Sequence, residues 1–182
     1  TASKVYSFDK VLLGKYFKEN RVNVDLNEIS DHFKNALVAT EDARFFEHSG
    51  VDIRAWARVF FKTILLQDQS GGGGSTISQQ LAKNLFKRKR HRLLEVPINK
   101  IREMMVARRL ENVYTKNELL ALYLNTVPFS RNIYGIQVAS QQFYNNTPAN
   151  IKIEQAATII GTLKANTYYD PVRNPKNALT RR

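Results

Sequence analysis

Residues 67–84 read QDQSGGGGSTISQQLAKN, and the division of the chain turns on them. As a Gly/Ser spacer, Gly71 to Ser75 would separate two modules. As the mobile approach to a helix, they would leave one continuous α-helical domain. The residues after the glycines look like an ordered helix: Thr76 to Gln79 fit a capping box, with Ser75 as a rival cap. Ile77, Leu81 and Leu85 recur every four residues as an inward row, and Gln80, Lys83, Asn84 and Lys87 form the opposite row. Amides and ammonium groups in line near a helix N-terminus suit a phosphate or sugar ligand, and equally a solvent-washed face. No Gly-Lys-Ser/Thr follows the glycines, so they are not a Walker loop.

Outward from this stretch the helical pattern continues. DLNEISDHFKNALVATEDARFF (25–46) has Asp25 or Asn27 as a cap and a stripe of Ile29, Phe33, Leu37 and Val38. VDIRAWARVFFKTILLQ (51–67) has a broad apolar face, and helical patterns recur at 97–112, 116–125, 134–145 and 153–163. Only VYSFDKVLLGKYFKENRVNV (5–24) alternates like a strand pair, around a turn-like Asp9-Lys10. The expected fold is mainly α, one domain over residues 1–182, with a short β element at its start.

The chain has 182 residues, of which 43% are hydrophobic, enough for a real core. It has no cysteine, which excludes a disulfide scaffold and any Cys nucleophile or Cys metal site. Lys and Arg number 28 against 16 acids, a net charge of +12. Such an excess implies a polyanionic partner: nucleic acid, an anionic membrane, or a phosphorylated substrate. KNLFKRKRHR (83–92) concentrates six of these cations around Leu85 and Phe86, which fits a membrane surface or nucleic-acid phosphates alike. No stretch approaches the ~20 apolar residues of a spanning helix. The start is not a signal peptide, and the finish inside a helical pattern at LTRR suggests a chain trimmed from a longer one.

Two acids stand out. Glu41, with Asp42, follows the apolar run Ala36-Leu37-Val38-Ala39, where contact with a core would raise a carboxyl pKa towards that of a general base; composition alone fits better an exposed C-terminal turn with solvated acids. Glu103 lies on a helix whose apolar face is expected from Ile98, Ile101, Met105 and Val106, with Lys100, Glu103 and Ala107 on a separate stripe. Taken alone, Lys100 and Glu103 read as a surface ion pair worth under ~1 kcal/mol.

In order and wording, five segments are similar to the motifs of the family 51 peptidoglycan glycosyltransferases. They are ATEDARFFEHSGVD (39–52), GGGGSTISQQLAKN (71–84), NKIREMMVARRLE (99–111), ELLALYLNTVPFSRNIYGIQVASQQFYN (118–145) and QAATIIGTLKANTYYDPVRNPKNALTRR (155–182). This is the polymerising domain of class A penicillin-binding proteins and monofunctional transglycosylases. The opening strand pair resembles the bifunctional class.

The resemblance implies a lysozyme-like α fold with a large lobe and a small membrane-associated jaw. It implies a reaction that joins lipid II units into glycan strands, inverting MurNAc C1 and expelling undecaprenyl pyrophosphate. The implied partners are lipid II, the growing glycan, the membrane surface and other cell-wall synthesis proteins, and no nucleic acid. The implied location is the outer face of the bacterial cytoplasmic membrane, with an anchor outside these residues. Carried over by motif, Glu41 is the base and Asp42, Phe45 and His48 shape its site, His48 by hydrogen bonding. Ser75, Thr76, Gln80, Lys83 and Asn84 form the donor-contacting helix start and face. Glu103 is the second catalytic carboxylate, acting through a divalent ion (Mg²⁺ or Mn²⁺) on the pyrophosphate, with Lys100 its basic companion and Lys164 a further substrate contact. Asn125, Tyr134 and Gly135 are implied to be structural. Gly73 to Thr76 match the second motif, so the glycines read as a flexible entry to the site rather than a linker.

Two positions depart from the pattern: Asn99 stands where an arginine is usual, and Ser130 where a glycine is. A lysozyme-like hydrolase also uses two carboxylates but has no need of a lysine-lined helix. A basic nucleic-acid module accounts for the charge and leaves the Glu41-Asp42 motif and the STISQQLAKN face unexplained.

Overall fold

The computed structural model describes residues 3–16, 20–61, 73–86 and 95–182. Gly71 and Gly72, the end of the 51–67 helical pattern, and Lys87 with the rest of the basic run to His91 and Arg92 lie outside the described residues. The chain divides into two compact units, residues 1–36 with 124–182, and residues 37–123.

The first unit opens with strands β1 (Ser3–Tyr6) and β2 (Leu12–Tyr16), antiparallel, with Ser3 opposite Tyr16. Lys10 closes their turn at φ 63°, and its N–H donates to the Ser7 carbonyl. The ribbon leaves Val5, Tyr6, Phe8 and Leu13 exposed. A second, parallel pair joins β3 (Asn20–Arg21) to β4 (Ile133–Tyr134). The helical stretch expected from Asp25 is split. Asp25 and Glu28 form a capping box on a single 3-10 turn, Leu26–Glu28, and helix α1 (Asp31–Glu41) starts afresh. It stops at Glu41 rather than Phe46, and turns occupy residues 43–47. Ile29, Phe33 and Leu37 are buried as expected, while Val38 is half-buried.

Helices α6 (Ile136–Tyr144), α7 (Ile153–Gly161) and α8 (Pro175–Arg181) complete this unit. Asn125 grips the chain before the 3-10 turn, accepting from the Val24 N–H at 2.9 Å and donating to its carbonyl at 2.8 Å. Gly135 has φ 78°, and a Cβ there would lie 2.7 Å from the Asn125 carbonyl oxygen, so only glycine fits. These are the structural roles expected of both residues.

Ser130 does not need glycine's conformational freedom. Its hydroxyl donates to the fully buried Asp170 at 2.6 Å. Arg131 Nε and the N–H groups of Val172 and Arg173 converge on the same carboxylate. Burial opposes ionisation of Asp170, but these hydrogen bonds and the Arg131 charge outweigh it and hold the carboxyl below the usual range. The loop after Lys164 is thereby fixed.

The second unit contains α2 (Ile53–Phe60), α3 (Ile77–Leu85), α4 (Glu95–Val113) and the start of α5 (Lys116–Thr126). Helix α3 begins with the predicted capping box, the Thr76 hydroxyl accepting from Gln79 N–H. Ile77 and Leu81 are enclosed, but Leu85 is 41% exposed, a correction to the inward row. Helix α4 departs further. Its buried positions are Asn99, Glu103 and Ala107, one row at a spacing of four, and it packs on α3 with that row. Ile98, Ile101 and Met105, the expected apolar face, are exposed.

Candidate functional site

The site forms around the end of α1 and the first turns of α3. Glu41, the last residue of α1, is half-buried, and its Oε2 accepts from Gln80 Nε2 at 2.9 Å. Gln80 Oε1 in turn accepts from the Tyr123 hydroxyl at 2.8 Å. A carboxylate can only accept, so Gln80 must offer it the NH₂ and turn its carbonyl to Tyr123, which must then donate. The phenol is held in its neutral form: burial, and secondarily the charge of Glu41, push its pKa up. Nothing in LALYLN marks Tyr123 as part of a site, since the segment reads as ordinary core.

Behind Glu41 the chain is pinned. Asp42 is buried; it accepts from the Ile77 N–H at 3.1 Å and meets His48 Nε2 at 2.9 Å. A carboxylate at the first free amide of α3 sits where the helix dipole favours negative charge. Phe45 is fully enclosed, and His48 is buried in its side chain. Asp42, Phe45 and His48 therefore support the site from within, and His48 has the hydrogen-bonding environment expected of it. The Thr76 hydroxyl donates to the Gly50 carbonyl at 2.7 Å, closing the segment onto α3. Gly50 has φ 84°, and a Cβ there would meet the Arg108 backbone at 2.8 Å.

Lys100 and Glu103 are not the surface pair their spacing suggests. Glu103 is 7% exposed, and Lys100 Nζ stands 3.6 Å from it. The same ammonium donates to Ser75 Oγ at 2.7 Å and to Gln79 Oε1 at 3.3 Å, and lies 5.7 Å from the Trp56 ring centroid. Ser75, Lys100 and Glu103 are thus one cluster, with Gln79 and Trp56 as members the sequence did not reveal. Asn99, where an arginine is usual, is buried and donates to the Glu95 carbonyl at 2.9 Å.

Lys83 and Asn84 are exposed on the next turn of α3. Lys164 belongs to the other unit, exposed at the end of the 3-10 turn Thr162–Lys164. Among the described residues no group of three or more acidic or histidine side chains is placed to hold a metal ion. Glu103 is one carboxylate beside an ammonium, and such a donor set does not fit a resident divalent cation.

A family model described as Transglycosylase matches residues 9–182. Penicillin-binding protein 1F of Bacillus subtilis is 35% identical over 184 residues, covering 100% of this chain and 25% of that protein. Penicillin-binding protein 1A of Escherichia coli is 35% identical over 98% of this chain and 20% of its own length. A biosynthetic peptidoglycan transglycosylase of Acinetobacter baumannii is 37% identical over 84% of this chain and 66% of its own. The chain therefore spans a quarter or less of these two penicillin-binding relatives. In fold it is similar to a crystal structure of penicillin-binding protein 1A from Haemophilus influenzae, with TM-score 0.53 and 18% identity over 99% of this chain and 16% of that one. The mainly helical, lysozyme-like architecture expected from the sequence agrees with that likeness. With its match running almost from end to end, the chain belongs to the transglycosylase family.

Proposed function

We propose that this domain is a peptidoglycan glycosyltransferase that polymerises lipid II. The 4-hydroxyl of the acceptor GlcNAc attacks C1 of the donor MurNAc, and Glu41 takes the hydroxyl proton. The C1–oxygen bond to the pyrophosphate breaks with inversion, and undecaprenyl pyrophosphate leaves. The observation that carries this reading is the Glu41–Gln80–Tyr123 chain, which fixes a half-buried carboxylate through its Oε2. Lys100 supplies positive charge next to Glu103 for the pyrophosphate side, with Lys83 and Asn84 as donor contacts. A divalent cation belongs to the proposal only as a companion of the substrate's pyrophosphate.

Membrane-surface work is supported by the outward apolar residues. Ile53, Trp56 and Phe61 lie along α2 and its C-terminal cap, and Val96, Ile98, Ile101 and Met105 line α4, all exposed. Outward apolar faces on a chain of +12 fit an anionic bilayer surface. No helix among the described residues is long and apolar enough to cross a membrane. The proposed place of work is the outer face of the cytoplasmic membrane, alongside other cell-wall synthesis proteins.

The deciding experiment supplies lipid II in one arm and finished peptidoglycan in the other, each with and without Mg²⁺. Glycan polymer from the first arm is the expected result. Muropeptides released from the second, without polymer from the first, would replace the transferase by a hydrolase. Lys83→Ala is expected to raise the lipid II KM about tenfold, the loss of one charge-assisted contact of ~1.5 kcal/mol, with kcat nearly unchanged. An unaltered KM would remove the exposed row of α3 from donor binding.

A further inference from the structure

Inside the second unit lies a buried ionic cluster that the proposed reaction does not use. Glu111, near the end of α4, has a side chain 5% exposed. Its Oε2 pairs with Lys116 Nζ at 2.8 Å, and its Oε1 accepts from the Ser78 hydroxyl on α3. Lys116, the first residue of α5, donates at 2.6 Å to the carbonyl of His48 and stands 4.4 Å from the Phe45 ring centroid. One ammonium thus holds the segment that continues from Glu41, and its partner carboxylate holds the helix that carries Gln80. Ser78, Glu111 and Lys116 take no part in the proposed proton transfer or donor binding.

We infer that Glu111 and Lys116 are positioning residues for the transferase, acting through the Glu41–Gln80 contact; this rests on the function proposed above. The hydrogen bond between Glu41 and Gln80 joins two pieces of chain 39 residues apart. Their spacing is set by whatever fastens each piece, and the Glu111–Lys116 pair fastens both. On one side Lys116 closes on His48 and Phe45, and Asp42 is tied to the start of α3. On the other, Ser78 anchors α3 two residues before Gln80. Glu111 Oε1 also stands 4.0 Å from the buried His48 Nδ1, so its charge faces the ring that Asp42 holds. Misplacing a catalytic base by about 1 Å can cost ~100-fold in rate with little effect on substrate affinity.

The test measures kcat and KM for lipid II polymerisation, with circular dichroism to confirm the fold, in the full chain. Lys116→Met is expected to lower kcat roughly 10- to 100-fold while KM moves less than about threefold. Lys116→Arg keeps the cation and is expected to restore kcat to within about threefold of the parent. Glu111→Gln preserves size and a carbonyl acceptor for Ser78, and lowers kcat in the same direction. Combined with Lys116→Met it adds little, because both variants break one unit. A folded Lys116→Met or Glu111→Gln with parental kcat, a loss confined to KM, or full additivity overturns the inference. If Lys116→Met does not fold, Glu111→Gln decides. Absence of polymer from the parent chain overturns the proposed function itself, whereas an active parent with unaffected variants overturns only the positioning role.

Discussion

Glu41→Gln is expected to reduce lipid II polymerisation by ~10²–10⁴-fold, the range associated with removing a general base. The substitution is isosteric, and the amide can still offer an oxygen to Gln80 Nε2, so the contact with α3 survives. The amide cannot accept the acceptor's proton. Loss should therefore fall on kcat, while lipid II binding and the melting temperature stay near those of the parent. Initial rates across a range of lipid II, with circular dichroism on the same samples, separate the two quantities. Turnover close to that of the parent would show that another group takes the proton, and the Gln80–Tyr123 chain would then be only structural.

The second large effect concerns stability. Asp170→Ala removes an acceptor that serves the Ser130 hydroxyl, the Val172 and Arg173 N–H groups and Arg131 Nε, in a site that is fully buried. Breaking such a group by taking away the shared acceptor costs about 3–5 kcal/mol. For a chain of this size that corresponds to a fall in Tm of roughly 10 °C. The folded-state pKa of Asp170 is depressed, so its contribution is present above the ordinary carboxylate range and is lost as pH falls through the folded value. The parent should accordingly lose stability below about pH 4 more steeply than the variant, and the two melting curves should converge there. A cost below ~1 kcal/mol at neutral pH would mean that solvent replaces the lost bonds.

Much of the site was legible because its signals are local. The capping box at Thr76 depends on four consecutive residues, and α3 starts where that box places it. Gly135 and Asn125 were recognisable within one motif, and Gly135 is a residue no other side chain can replace without striking the Asn125 carbonyl. Inference from apolar rows held for Ile29, Phe33 and Leu37 but did not say what receives the stripe of α4. Ile98, Ile101 and Met105 make a good amphipathic stripe, but an apolar stripe records only a preference to leave water. It does not say whether a protein core or another apolar surface receives it. In α4 the row packed on α3 is Asn99, Glu103 and Ala107, and beside it Lys100 pairs with Glu103 and donates to Ser75 and Gln79. The same pairing changes an apparent surface ion pair into a buried cluster.

The mainly α character of the chain, the starts of α2 to α7 to within about two residues, and the family were all readable without coordinates. These follow from periodicity, capping chemistry and ordered motifs, all of which act over short spans of chain. Packing in three dimensions was needed to settle which carboxylates have partners and which way each amide points. Tyr123 meets Gln80 across 43 residues, and Lys116 meets His48 across 68. Nothing in the local pattern of either residue encodes its partner, since hydrogen-bond geometry depends on how the segments pack and not on their spacing along the chain.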